Sequence, residues 1–431
     1  MAPICRTSEL TISSMLKGVP TGIDDLPLSD IGLQGWNVLR QDLPFPLAVL
    51  SQSALRHNAG WMRRFLALSG ALFSPHGKTT MSPQLFEQQL ADGAWGITLA
   101  TASQVMVARR FGIPRILLAN ELVGAASIRA IAEELERDPD FDFYCLVDSV
   151  EGVRILDKAL GESGCRRPLQ VLIEIGVAGK RCGCRDLETT LQVAQAVSRA
   201  EHLVLRGVEG FEGVIHAASP EESDRLVRDF LQQLVSVAER FAVEGLFEEG
   251  PILLSAGGTQ YFDLVAEVLS RAPLGGRAEV IVRSGCYLTH DSQICERLHQ
   301  QLRERCPEAR DLGAGLLPAL EVWGVVLSRP EPTRVVVSLG KRDCSFDADL
   351  PLPVKWFRSD LHTAPAPLAG HRTAMLHDQH AMLEVPVDSP LQVGDLVACG
   401  ISHPCTTFDR WQFIPIVDDE YHVTGGIRCF F

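Results

Sequence analysis

Between residues 71 and 283 the chain repeats one pattern eight times: a short apolar run, a polar or glycine-containing turn, then a segment of helical periodicity. The apolar runs are 71–74, 96–100, 115–119, 143–147, 169–175, 205–209, 252–256 and 279–283. The helical segments between them are 83–92, 103–111, 125–137, 150–160, 187–199, 221–242 and 261–270. Continuous apolar strands alternating with helices indicate a parallel sheet covered on both faces. Eight such units in roughly 220 residues suit a closed (β/α)8 barrel of the TIM type better than an open doubly wound sheet. An open dinucleotide-binding sheet would also carry GxGxxG after its first strand, and none is present.

After residue 310 the texture changes. Runs 320–327, 334–339, 381–385, 396–399, 412–417 and 426–430 are short and β-rich, separated by Pro, Gly and Asp, with no helical segment among them. They predict a mostly antiparallel domain, with the proline-rich 351–367 as a loop. At the other end, Gly18, Pro20, Gly22 and Pro27 break residues 1–35 into an irregular extension, run 46–50 reads as a strand, and 53–68 reads as a helix. The expected division is therefore an N-terminal extension and strand associated with the β-domain (1–45), an α/β barrel (46–310) and a C-terminal β-domain (311–431).

The composition excludes several functions. A formal charge of −14 without a basic block argues against nucleic-acid and anionic-membrane partners. No apolar run approaches the ~20 residues that span a bilayer, and residues 1–20 lack the apolar core of a secretory signal. The twelve cysteines are scattered. Without a signal they read as reduced thiols of a cytoplasmic protein, and Cys182-Gly183-Cys184 has no second pair at metal spacing.

Barrel chemistry collects at the C-terminal ends of strands, often with a phosphate site after strands seven and eight. Strand one ends in Pro75-His76-Gly77-Lys78-Thr79. A lysine there projects into the barrel mouth, where partial burial lowers its pKa and leaves the amine nucleophilic. Taken alone, these residues fit an exposed lysine in a turn as well. Strand seven runs into Ser255-Ala256-Gly257-Gly258-Thr259 and strand eight into Arg283-Ser284-Gly285-Cys286-Tyr287, loops whose bare glycines let N–H groups turn towards an anion. A phosphate site on one side and a Schiff-base lysine on the other are what pyridoxal 5′-phosphate (PLP) requires. Arg181, in the loop after strand five, is a candidate for hydrogen bonding to cofactor or substrate carboxylate, or a surface arginine. Glu209-Gly210-Phe211-Glu212-Gly213 follows strand six, with His216 beyond it. Far along the chain, Pro404 favours an extended His403. His403 and Cys405 at i, i+2 would then share a face, and imidazole beside thiolate suits zinc. His377-Asp378-Gln379-His380 adds further potential ligands or their hydrogen-bond partners.

Taken together, Pro75–Thr79, Gly93-Ala94-Trp95-Gly96-Ile97-Thr98, Leu117-Leu118-Ala119-Asn120, the loops at 255–259 and 283–287, Gly340-Lys341-Arg342-Asp343 and His403-Pro404-Cys405 resemble, in this order, the D-serine dehydratase/D-threonine aldolase group. These are fold-type III PLP enzymes, and the wider relatives are the alanine racemases. The resemblance spans roughly residues 40–431. It implies an alanine-racemase-like barrel followed by a β-domain, a homodimer, and a divalent metal, zinc first with manganese or magnesium as options. Lys78 would be the Schiff-base lysine, with His76 and Arg181 at the cofactor. Gly257, Gly258, Thr259, Gly285 and Cys286 would hold the phosphate, with Tyr287 beside it, and His403 and Cys405 the metal. The implied substrate is a small D-amino acid with a β-hydroxyl, such as D-serine or D-threonine. Cysteine at the second metal position, where the aldolases carry aspartate, favours dehydration to a 2-oxo acid and ammonia. Aldol cleavage to glycine and an aldehyde is the alternative, and a non-catalytic PLP-binding protein the second, against which the β-domain argues. Phe211 stands where many relatives have tyrosine, Asp378-Gln379 replaces a pair of glutamates, and residues 1–35 have no counterpart.

Overall fold

The apolar runs fold as eight parallel strands in a computed structural model that describes residues 5–431. They are Leu72–Phe73, Ile97–Leu99, Arg115–Glu121, Asp142–Val147, Leu169–Ile175, Leu203–Gly210, Ile252–Ala256 and Ala278–Val282, barrel strands one to eight. Strands two to eight pair in succession, and strand eight pairs back onto strand one. The seam between strands one and two is closed by a parallel bridge from His76 to Thr98. Backbone bonds from Trp95 N–H to Phe73 O (2.7 Å) and from Thr98 N–H to Pro75 O (2.9 Å) complete it. Alternation along the strands puts Leu117, Tyr144, Leu146, Leu172, Leu253 and Ile281 in one cluster. Their neighbours Ile116, Leu118, Ile173, Leu254 and Val282 belong to the layer packed with the helices.

The helices start where the sequence offers caps. Side-chain oxygens of Ser51, Thr101, Ser149, Asp186 and Ser219 each accept the backbone N–H three residues on. A helix of three turns after strand eight, Ile294–Arg305, has no counterpart in the sequence pattern, nor do the short Pro307–Asp311 and Cys405–Phe408. The buried face of Ile294–Arg305 is Cys295, His299 and Leu302, so two of its three inward residues are not conventional hydrophobes. Among the described residues no helix is long and apolar enough to cross a membrane.

Residues from 320 onward build an antiparallel sheet around Leu320–Glu331. The strand Leu47–Ser51, counted with the barrel from residue 46, pairs instead with that strand and with Phe413–Val417. The proline-rich stretch expected to be a loop contains the strand Leu352–Phe357, antiparallel to Leu396–Gly400. Pro353 sits at a register irregularity, a position where a missing N–H is tolerated. The extension is more ordered than its breakers suggested. Residues 11–12 pair with 26–27, and Ile12, Val19 and Ile31 share a buried cluster with Leu47, Trp323 and Phe413 of the sheet. His377 to His380 form an exposed turn between Arg372–Leu376 and Ala381–Glu384.

One glycine fixes how closely the barrel ends approach. A Cβ on Gly285 would lie 2.6 Å from His76 O and 2.8 Å from Thr79 Oγ1, so only a bare Cα lets the strand-eight loop lie against the lysine-bearing turn. Gly285→Ala is expected to lower unfolding free energy by about 1–3 kcal/mol, the usual cost of overpacking. Gly425→Ala, where an added Cβ meets nothing within 4 Å, should stay within about 0.5 kcal/mol of the parent. Urea unfolding of the two variants measures the difference.

Candidate active site

The C-terminal ends of the barrel strands open on a cavity of about 330 Å³. Lys78 enters it from the single 3-10 turn Gly77–Thr79 that follows strand one. Gly77 permits that turn, since a Cβ would lie 2.7 Å from the Phe86 ring and 2.8 Å from Ile97. Burial is the main force lowering the Lys78 pKa from 10.5; Cys405 and Cys286 oppose it, and Arg181 and Arg283 add to it. A larger fraction of the amine is therefore neutral at a given pH than for an exposed lysine.

Beside the lysine turn, at the ends of strands seven and eight, lie the two glycine loops. Gly257 has φ +113°, a conformation that favours glycine, and a Cβ on Gly258 would lie 3.0 Å from the Phe211 ring. Among the described residues the N–H groups of Thr259, Gly285 and Cys286 find no backbone acceptor. Glu212 lies buried beneath the first loop and accepts the Gly258 N–H at 3.2 Å. Arg283 and Glu209 form a buried ion pair, with Arg283 also donating to Gly210 O at 3.2 Å. Even so, Arg283 Nε and Nη1, Glu209 Oε2 and His76 Nδ1 are buried without a protein partner. Unsatisfied buried polar atoms at a cavity call for a polar occupant. A lysine amine, free N–H groups on glycine loops and an unsatisfied guanidinium fit PLP, whose phosphate and ring heteroatoms would use such donors.

The metal-type pair lies on the same wall but is built differently from the sequence expectation. Pro404 is helical (φ −56°, ψ −45°) and Cys405–Phe408 is one helical turn, so His403 and Cys405 do not share the face of an extended strand. They meet at the start of that turn because His403 is held from outside. Its Nδ1 bonds Asp347 Oδ2 at 2.6 Å, which leaves Nε2 for another partner, and Thr406 Oγ1 donates to the same carboxylate at 2.7 Å. The Cys405 thiol donates to Thr79 Oγ1 at 3.4 Å, beside Lys78. Hydrogen bonding with Cys405 pushes the His403 pKa up to about 9; burial opposes it and Asp347 assists. The Cys405 thiol is itself pushed up, first by Cys286 and then by burial. Imidazole and thiol side by side, with a carboxylate orienting the imidazole, fit a zinc-like cation.

Lys78, His76, Arg181, Gly257, Gly258, Thr259, Gly285, Cys286, His403 and Cys405 all line the cavity. Tyr287 does not. Its ring is buried edge-on against Phe73 at 4.9 Å, in the core layer behind the loop. His216 is exposed, and Arg181 lies over the Phe211 ring at 5.1 Å. Sequence reasoning gave no role to Glu174, Glu209 or Arg283, which also line the cavity. The available signal was a charged residue within or just after an apolar strand, on strands five, six and eight.

Comparison with known proteins agrees with this geometry. A family profile described as "Putative serine dehydratase domain" matches residues 319–417. A 3-hydroxy-D-aspartate aldolase of Paracoccus denitrificans (strain Pd 1222) is 25% identical over 72% of this chain and 75% of its own length. A D-threonine aldolase of Arthrobacter sp. is 23% identical over 87% of this chain and 89% of its own. The solved structure of D-threo-3-hydroxyaspartate dehydratase from Delftia sp. HT23 superposes with a TM-score of 0.72 at 20% identity, covering 91% of this chain and 99% of that one. The barrel, the β-rich part that brings His403 to its mouth and these likenesses agree: the chain is similar, over most of its length, to the fold-type III PLP enzymes related to D-serine dehydratase, D-threonine aldolase and alanine racemase.

Proposed function

We propose that the chain is a PLP-dependent lyase acting on D-amino acids that bear a β-hydroxyl, with Lys78 holding the cofactor and His403 and Cys405 holding a divalent cation. One observation carries this reading: the amine, the anion-binding loops and the imidazole–thiol pair face a single cavity, and Cys405 reaches the lysine turn through Thr79. Bound PLP supplies an electron sink for charge developing at the substrate Cα. A cation between His403 and Cys405 supplies Lewis acidity at the β-hydroxyl.

The chain's own residues do the rest. Lys78 would be the base at the substrate Cα, and burial, by lowering its pKa, favours the neutral amine. Arg181, over the Phe211 ring, would offer its guanidinium to the substrate carboxylate, a planar match between the two groups. Asp347 holds the His403 imidazole in one orientation. With its polar lining and small volume, the cavity suits a short polar substrate.

Two bonds are open to cleavage. The aldolases from Paracoccus and Arthrobacter, matched over most of the chain, support Cα–Cβ cleavage to glycine and an aldehyde. Dehydration, placed first by the sequence, is supported by one residue, the thiol of Cys405 beside His403. Cleavage is the better supported of the two, and dehydration is kept as the second reading on that thiol.

Incubation with D-threonine should yield glycine and acetaldehyde; ammonia and 2-oxobutyrate in their place would establish dehydration. Lys78→Ala should lose the visible absorbance of PLP on a lysine amine and at least ~10³-fold in kcat, the scale of a lost proton-transferring residue. Retained absorbance would move the cofactor to another amine. The rate at which the apoprotein recaptures PLP should rise with pH as Lys78 loses its proton, with a midpoint below the ordinary 10.5. Stopped-flow absorbance across pH measures it, and a midpoint at or above 10.5 would contradict the lowered pKa.

A further inference from the structure

Across the barrel mouth from the glycine loops is a second group of donors that the proposed reaction does not use. Glu121 ends strand three, Asp148 follows strand four, and Cys182 lies in the loop after strand five. One ligand-type atom from each lies within 4.8 Å of the other two. We propose that Glu121, Asp148 and Cys182, with Glu174 beside them, form a binding site for a zinc-like divalent cation, separate from His403 and Cys405.

The loop that brings Cys182 there is built rather than slack. Gly176 N–H donates to Cys184 O at 2.9 Å and Cys184 N–H to Glu174 O at 2.8 Å, folding the loop back on strand five. Gly183 N–H donates to Asp148 Oδ2 at 3.0 Å and the Cys184 thiol to Asp148 O at 3.2 Å, tying the loop to strand four. Gly183 has φ +102°, and a Cβ there would collide with the Gly176 backbone. These bonds fix Cys182 between two carboxylates.

Independent of that geometry, the surroundings are short of positive charge. Glu121 Oε1 is buried without a partner. Glu174 is only 8% exposed and lines the cavity, and its largest electrostatic neighbours are two more carboxylates, Glu209 and Glu121. The nearby buried arginine, Arg283, is already paired with Glu209. Among the described residues no ion pair neutralises Glu121, Asp148 or Glu174. Carboxylates this crowded hold either a proton or a cation. A divalent cation there would supply the missing positive charge and satisfy the orphaned oxygen of Glu121. The thiolate selects zinc-like ions over magnesium or calcium, which take oxygen ligands. Such an ion would fasten the loop that carries Arg181 to strands three and four.

Counting ions tests this without any turnover. Holoenzyme stripped with chelator and dialysed against Zn2+ should bind two ions per chain. Glu121→Gln, Cys182→Ser and His403→Ala should each retain one, and Cys182→Ser should weaken the affected site at least ~10-fold. With Co2+ in place of Zn2+, a Cys405→Ala variant should keep a thiolate-to-cobalt absorption band that disappears when Cys182→Ser is added. Cys182 is exposed, so its substitution leaves the fold in place. A single ion per chain, lost in His403→Ala and unchanged in Glu121→Gln and Cys182→Ser, would overturn the site. Two ions with no dependence on Cys182 would overturn it as well. Neither result depends on which bond of the substrate is broken, so failure of the lyase reading would leave a different signature.

Discussion

A barrel of eight short parallel strands has to close on itself, and in this chain the seam between strands one and two is also where the Lys78 amine sits. Strand one contributes only Leu72–Phe73 to the ladder, too little backbone to hold a turn in place by itself. The turn that follows is fixed from three sides: by the bridge from His76 to Thr98, by Gly285 lying against the His76 carbonyl, and by Phe86 and Ile97 packed over Gly77. Lys78 is thus positioned by contacts that also close the barrel. Disturbing the seam would disturb barrel closure and amine placement together, which couples stability to function at this point of the fold.

The β-rich part completes the same corner. Cys405 is 326 residues from Thr79, yet its thiol reaches that hydroxyl. Two elements make the approach possible. Asp347 and Ser345 hold the His403 side chain and backbone, and Leu47–Ser51 inserts into the antiparallel sheet just before the chain enters the barrel. The N-terminal extension packs against that sheet, and Lys17 pairs with buried Asp343 while lying 3.6 Å from the Trp411 ring. Because that sheet carries the His403 turn, an apparently remote segment bears on where an imidazole stands at the barrel mouth.

The parts of this structure that follow from local chemistry were legible in the sequence. Residues 169–175 and 252–256 match their strands end to end, and 125–137 and 187–199 match their helices, because each is a continuous apolar or amphipathic segment. Lys78 and the loops at 257–259 and 285–286 were legible too, as glycine and lysine at strand ends carry their own conformational meaning. What was hidden depends on long-range contact. Tyr287 follows the loop directly, yet its ring turns into the core against Phe73, a choice made by packing that spacing does not encode. His403 and Cys405 were singled out by a wrong local geometry, since Pro404 opens a helical turn instead of extending a strand. Leu352–Phe357 forms although prolines flank and interrupt it, because the neighbouring strand Leu396–Gly400 offers a ladder that accommodates Pro353 at a bulge.

The acidic residues of the mouth were hidden for the same reason, and they give the cavity a direction. Glu121, Glu174 and Glu209 are each the one acid in or just after an apolar run, and nothing in the spacing says that strands three, five and six bring them together. Burying several carboxylates costs free energy unless each finds a counter-charge, a proton or a cation. Glu209 has Arg283, while Glu174 has no counter-charge among the described residues and burial beside Glu209 raises its pKa. Meanwhile the side formed by strands seven and eight presents glycines and N–H groups and, among the described residues, no acid to the cavity; Glu212, from the turn after strand six, lies under the loop and accepts from Gly258. An anion entering this cavity therefore meets donors at one side and carboxylates at the other. A ligand with its phosphate at strands seven and eight would direct its less negative parts towards strands three to six. The orientation of a bound group is in this way set by charge before any single hydrogen bond is made.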